Sequence, residues 1–185
     1  INYHVLFYRH LGIPGEVVKL WQKGDQLSLS AHPHGPKMLE FAGIIEELQA
    51  EVKRSQLLAV EAVYQFFPAA SEGNKLHLYG QEGAAHPKAT FEFPRQAKED
   101  GLCLADFAHP LVASGPGKTD HVALFCVTAG KGIRVRTEEL KKRGEYLKAH
   151  ALAALAVETA EAYAEMLHSQ LRARWGFPDS TEMSM

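Results

Sequence analysis

Apolar residues recur along the chain at two different periods. Between Pro36 and about Ser55 they return every three or four residues, which is the spacing of one buried face of an α-helix. Proline suits the first turn of a helix, so Pro36 marks its start. The apolar positions of this predicted helix are Met38, Leu39, Phe41, Ile44, Ile45, Leu48 and Val52. Upstream, residues 1–11 are apolar and aromatic, and residues 14–30 predict a short helix and a polar loop.

Short apolar runs that are typical of strands follow this helix. The runs at 59–69 and 75–80 flank a turn at 71–74, which predicts a β-hairpin with a Gly-Asn pair in its loop. Further strands are predicted at 91–96, 102–110 and 120–130.

Helical spacing returns near Thr137 and continues to about Trp175, so we predict a long, mostly continuous helix that Gly144 is expected to bend or split. The order is helices, then strands, then a long helix. This order indicates an α+β protein rather than alternating βαβ units.

Charged residues collect on one side of this long helix. At 100° per residue, they fall within an arc of roughly 80°. They are Glu158, Glu161, Glu165, His168 and Arg172. The simplest interpretation is a solvated acidic face. The helix is also rich in alanine, however, and small side chains would let another backbone or a flat ligand approach closely.

Composition narrows the class of protein. The 185 residues are 46% hydrophobic and 23% charged, with a formal net charge of −2, which is typical of a globular protein and favours neither nucleic acid nor an anionic membrane as a partner. No apolar run approaches the roughly 18 residues of a transmembrane helix.

Cys103 and Cys126 lie in apolar runs, so we expect reduced thiols, buried on neighbouring strands, in a cytoplasmic protein. Since the first residue is Ile1 and not Met, we expect a piece of a longer polypeptide.

Several known catalytic and binding motifs are absent or incomplete in this sequence. The stretch 114–120 looks like a phosphate-binding loop, but the pattern G-x-x-x-x-G-K-S/T requires glycine where Val112 stands. We therefore predict a solvated turn there. The pair Glu165-x-x-His168 is half of a di-iron signature, which needs a second copy. No G-x-S-x-G motif and no zinc spacing is present.

Four stretches together resemble one family, the C-terminal activation domain of cobalamin-dependent methionine synthase. They are AVYQFFPAASEGNKLHLY at 62–79, GLCLADFAHP at 101–110, GKTDHVALFCVTAG at 117–130 and ALAVETAEAYAEMLHSQLRARWGF at 154–177. They occur in the order found in the family, whereas the segment before them is only weakly similar.

The resemblance implies a single C-shaped α+β domain with a twisted antiparallel sheet and long helices. It also implies a repair activity within a methyltransferase that moves a methyl group from methyltetrahydrofolate to homocysteine. The domain would bind S-adenosylmethionine and present it for the reductive remethylation of oxidised cobalamin. The cobalamin would be carried by another domain of the same polypeptide, and the electron would come from a flavodoxin-type partner.

The resemblance also implies site residues. The family glutamate that contacts S-adenosylmethionine matches Glu161, and a carboxylate suits a ligand with an ammonium, a sulfonium and a ribose diol. A family aspartate near the N-terminus is matched by the neutral Asn2. We expect the Glu161 side chain to face a groove that the sheet helps to wall, and Glu158 to lie in solvent.

One family feature is missing from the sequence. An R-x-x-x-G-Y segment, whose arginine would pair with the ligand carboxylate, does not occur, so residues 1–185 are expected to be a fragment of the activation domain. Two alternatives stay open: a docking module that covers cobalamin without binding S-adenosylmethionine, and a separate α+β enzyme that uses Glu161, Glu165 and His168.

Overall fold

Helices occupy both ends of the chain and strands occupy its middle. The computed structural model describes residues 1–111 and 120–180. The helices are α1 (Tyr3–Val5), a π-helical turn (Leu6–His10), α2 (Gly15–Lys23), α3 (Gln26–Ala31), α4 (Gly35–Ser55), a 3₁₀ turn (Leu104–Phe107), α5 (Ile133–Lys142) and α6 (Tyr146–Trp175). The strands are β1 (Val60–Glu72), β2 (Lys75–Leu78), β3 (Ala89–Glu92) and β4 (Asp120–Ala129). This arrangement confirms the predicted α+β class.

The structure divides into two compact units. One contains Ile1–Glu61 and the described residues from Val127 onward, and the other contains Ala62–Cys126. None of the described helices is long and apolar enough to cross a bilayer. The turn predicted at 114–120 falls almost entirely outside the described residues.

The core of the first unit is built from α4, α6 and the N-terminal segment. Helix α4 begins one residue before the predicted start at Pro36 and ends at Ser55 as predicted, and it buries four of the seven predicted apolar positions, namely Met38, Phe41, Ile45 and Leu48. The π-helical turn contributes Leu6 and Phe7, both fully buried. The ring of Tyr3 stacks on Phe7 at 6.2 Å between centroids and meets Trp21 edge-on at 5.8 Å. Aromatic packing of this kind fixes the first turn of the chain against α2.

Helix α6 buries a stripe of small and apolar residues. Ala151, Ala154 and Leu155 are almost fully buried, and they follow the i, i+3, i+4 spacing of a core-facing stripe. The next position of this stripe, i+7, is Glu158, which is 1% exposed. Its Oε1 lies 3.2 Å from Nε2 of His10. The expectation that Glu158 faces open solvent was therefore wrong, because the π-helical turn covers this position.

The sheet has the strand order β3-β2-β1-β4. Strands β1 and β2 form the predicted antiparallel hairpin, in which Glu72 pairs with Lys75, and Gly73 takes the positive φ of +58° that its tight loop requires. Strand β3 pairs antiparallel with β2 and begins two residues earlier than predicted. A small apolar cluster of Ala69, Leu76, Leu78 and Ala108 packs on the sheet.

The strand predicted at 102–110 was wrong. Its centre is the 3₁₀ turn Leu104–Phe107, because Oδ2 of Asp106 accepts a hydrogen bond of 2.9 Å from the backbone N–H of Cys103. Arg95 donates to both carboxylate oxygens of Asp106, at 2.7 and 2.8 Å. The Arg95 guanidinium, followed by the Cys103 N–H, lowers the pKa of the Asp106 carboxyl to about 2. Polar contacts thus hold a turn where the apolar pattern predicted a strand.

The long helix predicted from 137 to 175 is two helices. Gly144 lies between α5 and α6 and has a φ of +79°. Glycine adopts this left-handed conformation without the steric cost that other residues have, and a helix commonly ends at such a glycine. The splitting expected at Gly144 is therefore confirmed, while the predicted continuity was wrong.

The two cysteines are free, and they differ in exposure. Cys103 is buried beside the 3₁₀ turn, as expected, but it does not lie on a strand. Cys126 is exposed on β4, where its neighbours Leu124 and Phe125 are also exposed. The prediction of two buried thiols on neighbouring strands was therefore wrong for Cys126.

We predict different reactivities for these thiols. Under native conditions Cys126 should react with an aromatic disulfide reagent as a free thiol does. Cys103 should react at least about 100-fold more slowly, because its reaction requires a local opening that costs about 3 kcal/mol. Peptide mapping by mass spectrometry measures both rates, and the unfolded protein provides the control. Equal native rates would contradict the burial of Cys103.

We also predict that Glu158→Ala lowers the free energy of unfolding by about 2 kcal/mol, because it removes a buried hydrogen bond and leaves a small void. The control Glu161→Ala should change it by less than about 0.5 kcal/mol, since that side chain is exposed. Urea unfolding measures both values. Equal effects of the two variants would refute the assigned burial of Glu158.

Candidate ligand site

A cavity of about 690 Å³ lies between the N-terminal segment and α6. Its volume is within the range of about 300–1,000 Å³ that is typical of small-molecule sites. Its lining residues are Ile1, Asn2, Tyr3, Val5, Gln22, Glu158, Glu161, Ala162, Glu165 and Met166. All of them belong to the first compact unit.

Helix α6 supplies the charge of this cavity. Glu158, Glu161 and Glu165 lie on one side of the helix because they are three and four residues apart. The ten lining residues include no lysine, arginine or histidine. The wall is therefore formally negative, and it suits a ligand with a positive group.

The N-terminal segment supplies neutral polar groups. Asn2 precedes α1 and caps it, because its Oδ1 accepts a hydrogen bond of 3.2 Å from the Val5 N–H. This leaves the amide NH₂ of Asn2 as the donor that a ligand could use. The hydroxyl of Tyr3 accepts a hydrogen bond of 2.9 Å from Nε2 of Gln49, which anchors the segment to α4.

The structure brings both predicted site residues to this cavity. Glu161 and Asn2 are among the lining residues, although they are 159 positions apart in sequence. Glu161 is exposed, and within the described ranges its carboxylate has no hydrogen-bond or ion-pair partner. A carboxylate in this condition can bind a ligand without first breaking an internal contact.

The lining residues come from helices and from the N-terminal segment of the first unit. One expectation about this site was wrong. Glu158, which was placed in solvent, belongs to the same cavity as Glu161. This error arises because the N-terminal segment covers α6 at Glu158, and the apolar residues of that segment do not follow a clear period.

The sequence missed several residues that shape the site. His10 holds Glu158, while Gln22 and Tyr3 line the cavity from α2 and α1. The spacing of Ala151, Leu155 and Glu158 was a usable signal, since a carboxylate at i+7 of an apolar stripe needs a buried partner.

The described residues hold no group of three or more histidine, cysteine, aspartate or glutamate side chains that could bind a metal. Glu165 and His168 are both exposed on α6.

Three comparisons with known proteins bear on this site. Residues 41–185 match the family model described as "Vitamin B12 dependent methionine synthase, activation domain". A methionine synthase of Mycobacterium tuberculosis is 32% identical over 127 residues, which are 66% of this chain and 10% of that protein. A crystal structure of the MetH reactivation domain bound to AdoHcy matches with a TM-score of 0.67 and 26% identity, and the match covers 76% of this chain and 44% of that one.

These matches agree with the four stretches that suggested the family, and the family model covers more than half of the chain. The chain nevertheless spans only about a tenth of the length of the methionine synthase that it matches. It belongs to the activation-domain family of vitamin B12-dependent methionine synthases.

Proposed function

We propose that this chain binds S-adenosylmethionine in the cavity between the N-terminal segment and α6, as the reactivation module of a methionine synthase. The observation that carries this proposal is that Glu161 and Asn2, matched from the family motif, line one cavity of suitable volume. The similar MetH reactivation domain was crystallised with AdoHcy, the demethylated form of the same ligand.

The chemistry of the lining fits this ligand. S-adenosylmethionine carries an ammonium, a sulfonium and a ribose diol, all of which a carboxylate can bind. In this proposal the exposed Glu161 accepts hydrogen bonds from the ligand, and Ala162 leaves room for it beside the helix. The amide NH₂ of Asn2 donates from the opposite wall, because its oxygen caps α1.

The ligand carboxylate still needs a cationic partner, and the ten lining residues provide none. We propose that residues 1–185 are part of a larger activation domain, in which an R-x-x-x-G-Y segment of the family type supplies this guanidinium. Affinity for S-adenosylmethionine should then depend on that segment.

The role of the bound ligand follows from the family. S-adenosylmethionine would supply the methyl group that a reduced cobalamin accepts, and it would leave as S-adenosylhomocysteine. We propose that another domain of the same polypeptide holds the cobalamin and that a flavodoxin-type protein supplies the electron, both in the cytoplasm. This restores an enzyme that transfers methyl groups from methyltetrahydrofolate to homocysteine.

We predict that Glu161→Gln in the full-length protein lowers the affinity for S-adenosylmethionine by about 10- to 150-fold. The change keeps the size of the side chain but removes a charge-assisted hydrogen bond of about 1.5–3 kcal/mol. Isothermal titration calorimetry measures the effect. The control Glu46→Gln removes an exposed carboxylate of α4 outside the cavity and should leave the affinity unchanged.

Two results would contradict the proposal. If Glu161→Gln leaves the affinity for S-adenosylmethionine unchanged, Glu161 does not contact the ligand and is an ordinary solvated residue of α6. No detectable binding by the unmodified full-length protein would favour a docking module without S-adenosylmethionine.

A further inference from the structure

We propose that Glu158 determines the specificity of this cavity, by favouring the cationic S-adenosylmethionine over its neutral product S-adenosylhomocysteine. This inference rests on the proposed function, since it concerns the same ligand site. The two ligands differ by one methyl group and by the positive charge of the sulfonium. A group that senses this charge distinguishes the methyl donor from the spent product.

Glu158 differs from the other two carboxylates of the cavity in its burial. It lines the cavity although only 1% of its surface is exposed, whereas Glu161 and Glu165 are exposed. Water and salt screen the charge of an exposed carboxylate, but they screen a buried one much less. The charge of Glu158 is therefore screened less than the charges of Glu161 and Glu165.

His10 contacts one of the two carboxylate oxygens of Glu158. Nε2 of His10 lies 3.2 Å from Oε1, and in the described residues this is the contact that the carboxylate makes with another side chain. His10 itself is not among the lining residues, and its backbone carbonyl accepts a hydrogen bond of 2.8 Å from Nε2 of His150. The imidazole thus contacts the carboxylate from a residue that does not line the cavity.

A purely structural role for this pair makes a different prediction. If His10 and Glu158 only tie the N-terminal segment to α6, loss of either side chain would disturb the cavity wall. Binding of both ligands would then weaken to a similar extent. A role in specificity requires that the two substitutions act differently on the ratio of the two affinities.

The test compares the affinities of the full-length protein for S-adenosylmethionine and S-adenosylhomocysteine by calorimetry. Glu158→Gln keeps the shape and a hydrogen bond to His10 but removes the charge. It should lower the affinity for S-adenosylmethionine by about 10-fold or more and the affinity for S-adenosylhomocysteine by less than about 3-fold. His10→Gln keeps a donor for Glu158 and the carboxylate charge, so the preference for S-adenosylmethionine should be kept or should increase.

Glu47→Gln is the matched control, because it removes a carboxylate that tethers α6 through Lys148 outside the cavity, at 2.8 Å. It should leave both affinities unchanged. Circular dichroism and a urea titration establish that each variant is folded. If Glu158→Gln does not fold, His10→Gln still keeps the proposal falsifiable, because a falling preference for S-adenosylmethionine in that variant would overturn it.

Equal weakening of both ligands in Glu158→Gln would also overturn it and would leave the proposed function intact. If the unmodified protein binds S-adenosylhomocysteine but not S-adenosylmethionine, the specificity proposal is wrong. If it binds neither, the proposed function fails and this inference fails with it.

Discussion

The contact between the N-terminal π-helical turn and the alanine-rich stripe of α6 decides where the cavity forms. Ala151 and Ala154 have small side chains, which let a second backbone approach α6 closely. Together with Leu155 they belong to the same buried core as Leu6 and Phe7, which are fully buried. His10, at the end of the turn, contacts two residues of α6, Glu158 and His150. The cavity therefore begins where this close packing ends, beside the next turns of α6.

The same contact produces the unusual electrostatics of the site. Burial of a carboxylate costs free energy unless a partner compensates for it, and His10 provides that partner for Glu158. The neighbouring Glu161 and Glu165 receive no such compensation from the other lining residues. An acidic wall of this kind is best satisfied by a cation, which is the charge that distinguishes S-adenosylmethionine from most nucleoside ligands.

The elements that sequence patterns predicted correctly are the ones that local interactions determine. The hairpin follows from the Gly73–Asn74 turn between two apolar runs, and α4 follows from its spacing and from Pro36. The patterns failed where side-chain polar contacts decide the outcome, because apolar spacing does not record them. Arg95 and the capping carboxylate of Asp106 turn an apolar run into a 3₁₀ turn.

The same limit applies to the site. The helical arc placed Glu158 and Glu161 together, but only the position of the N-terminal segment shows which of them is buried. The family motif pointed to Glu161 and Asn2 without indicating that Glu158, Gln22 and Tyr3 line the same cavity. Periodicity describes one element at a time, whereas a cavity depends on how two elements meet.

The most direct test of this account is a crystal structure of the full-length protein grown with S-adenosylhomocysteine. The account predicts ligand density in the cavity between the N-terminal segment and α6, with a polar atom of the ligand within about 3.2 Å of the Glu161 carboxylate. Density at another place, with this cavity empty, would contradict it.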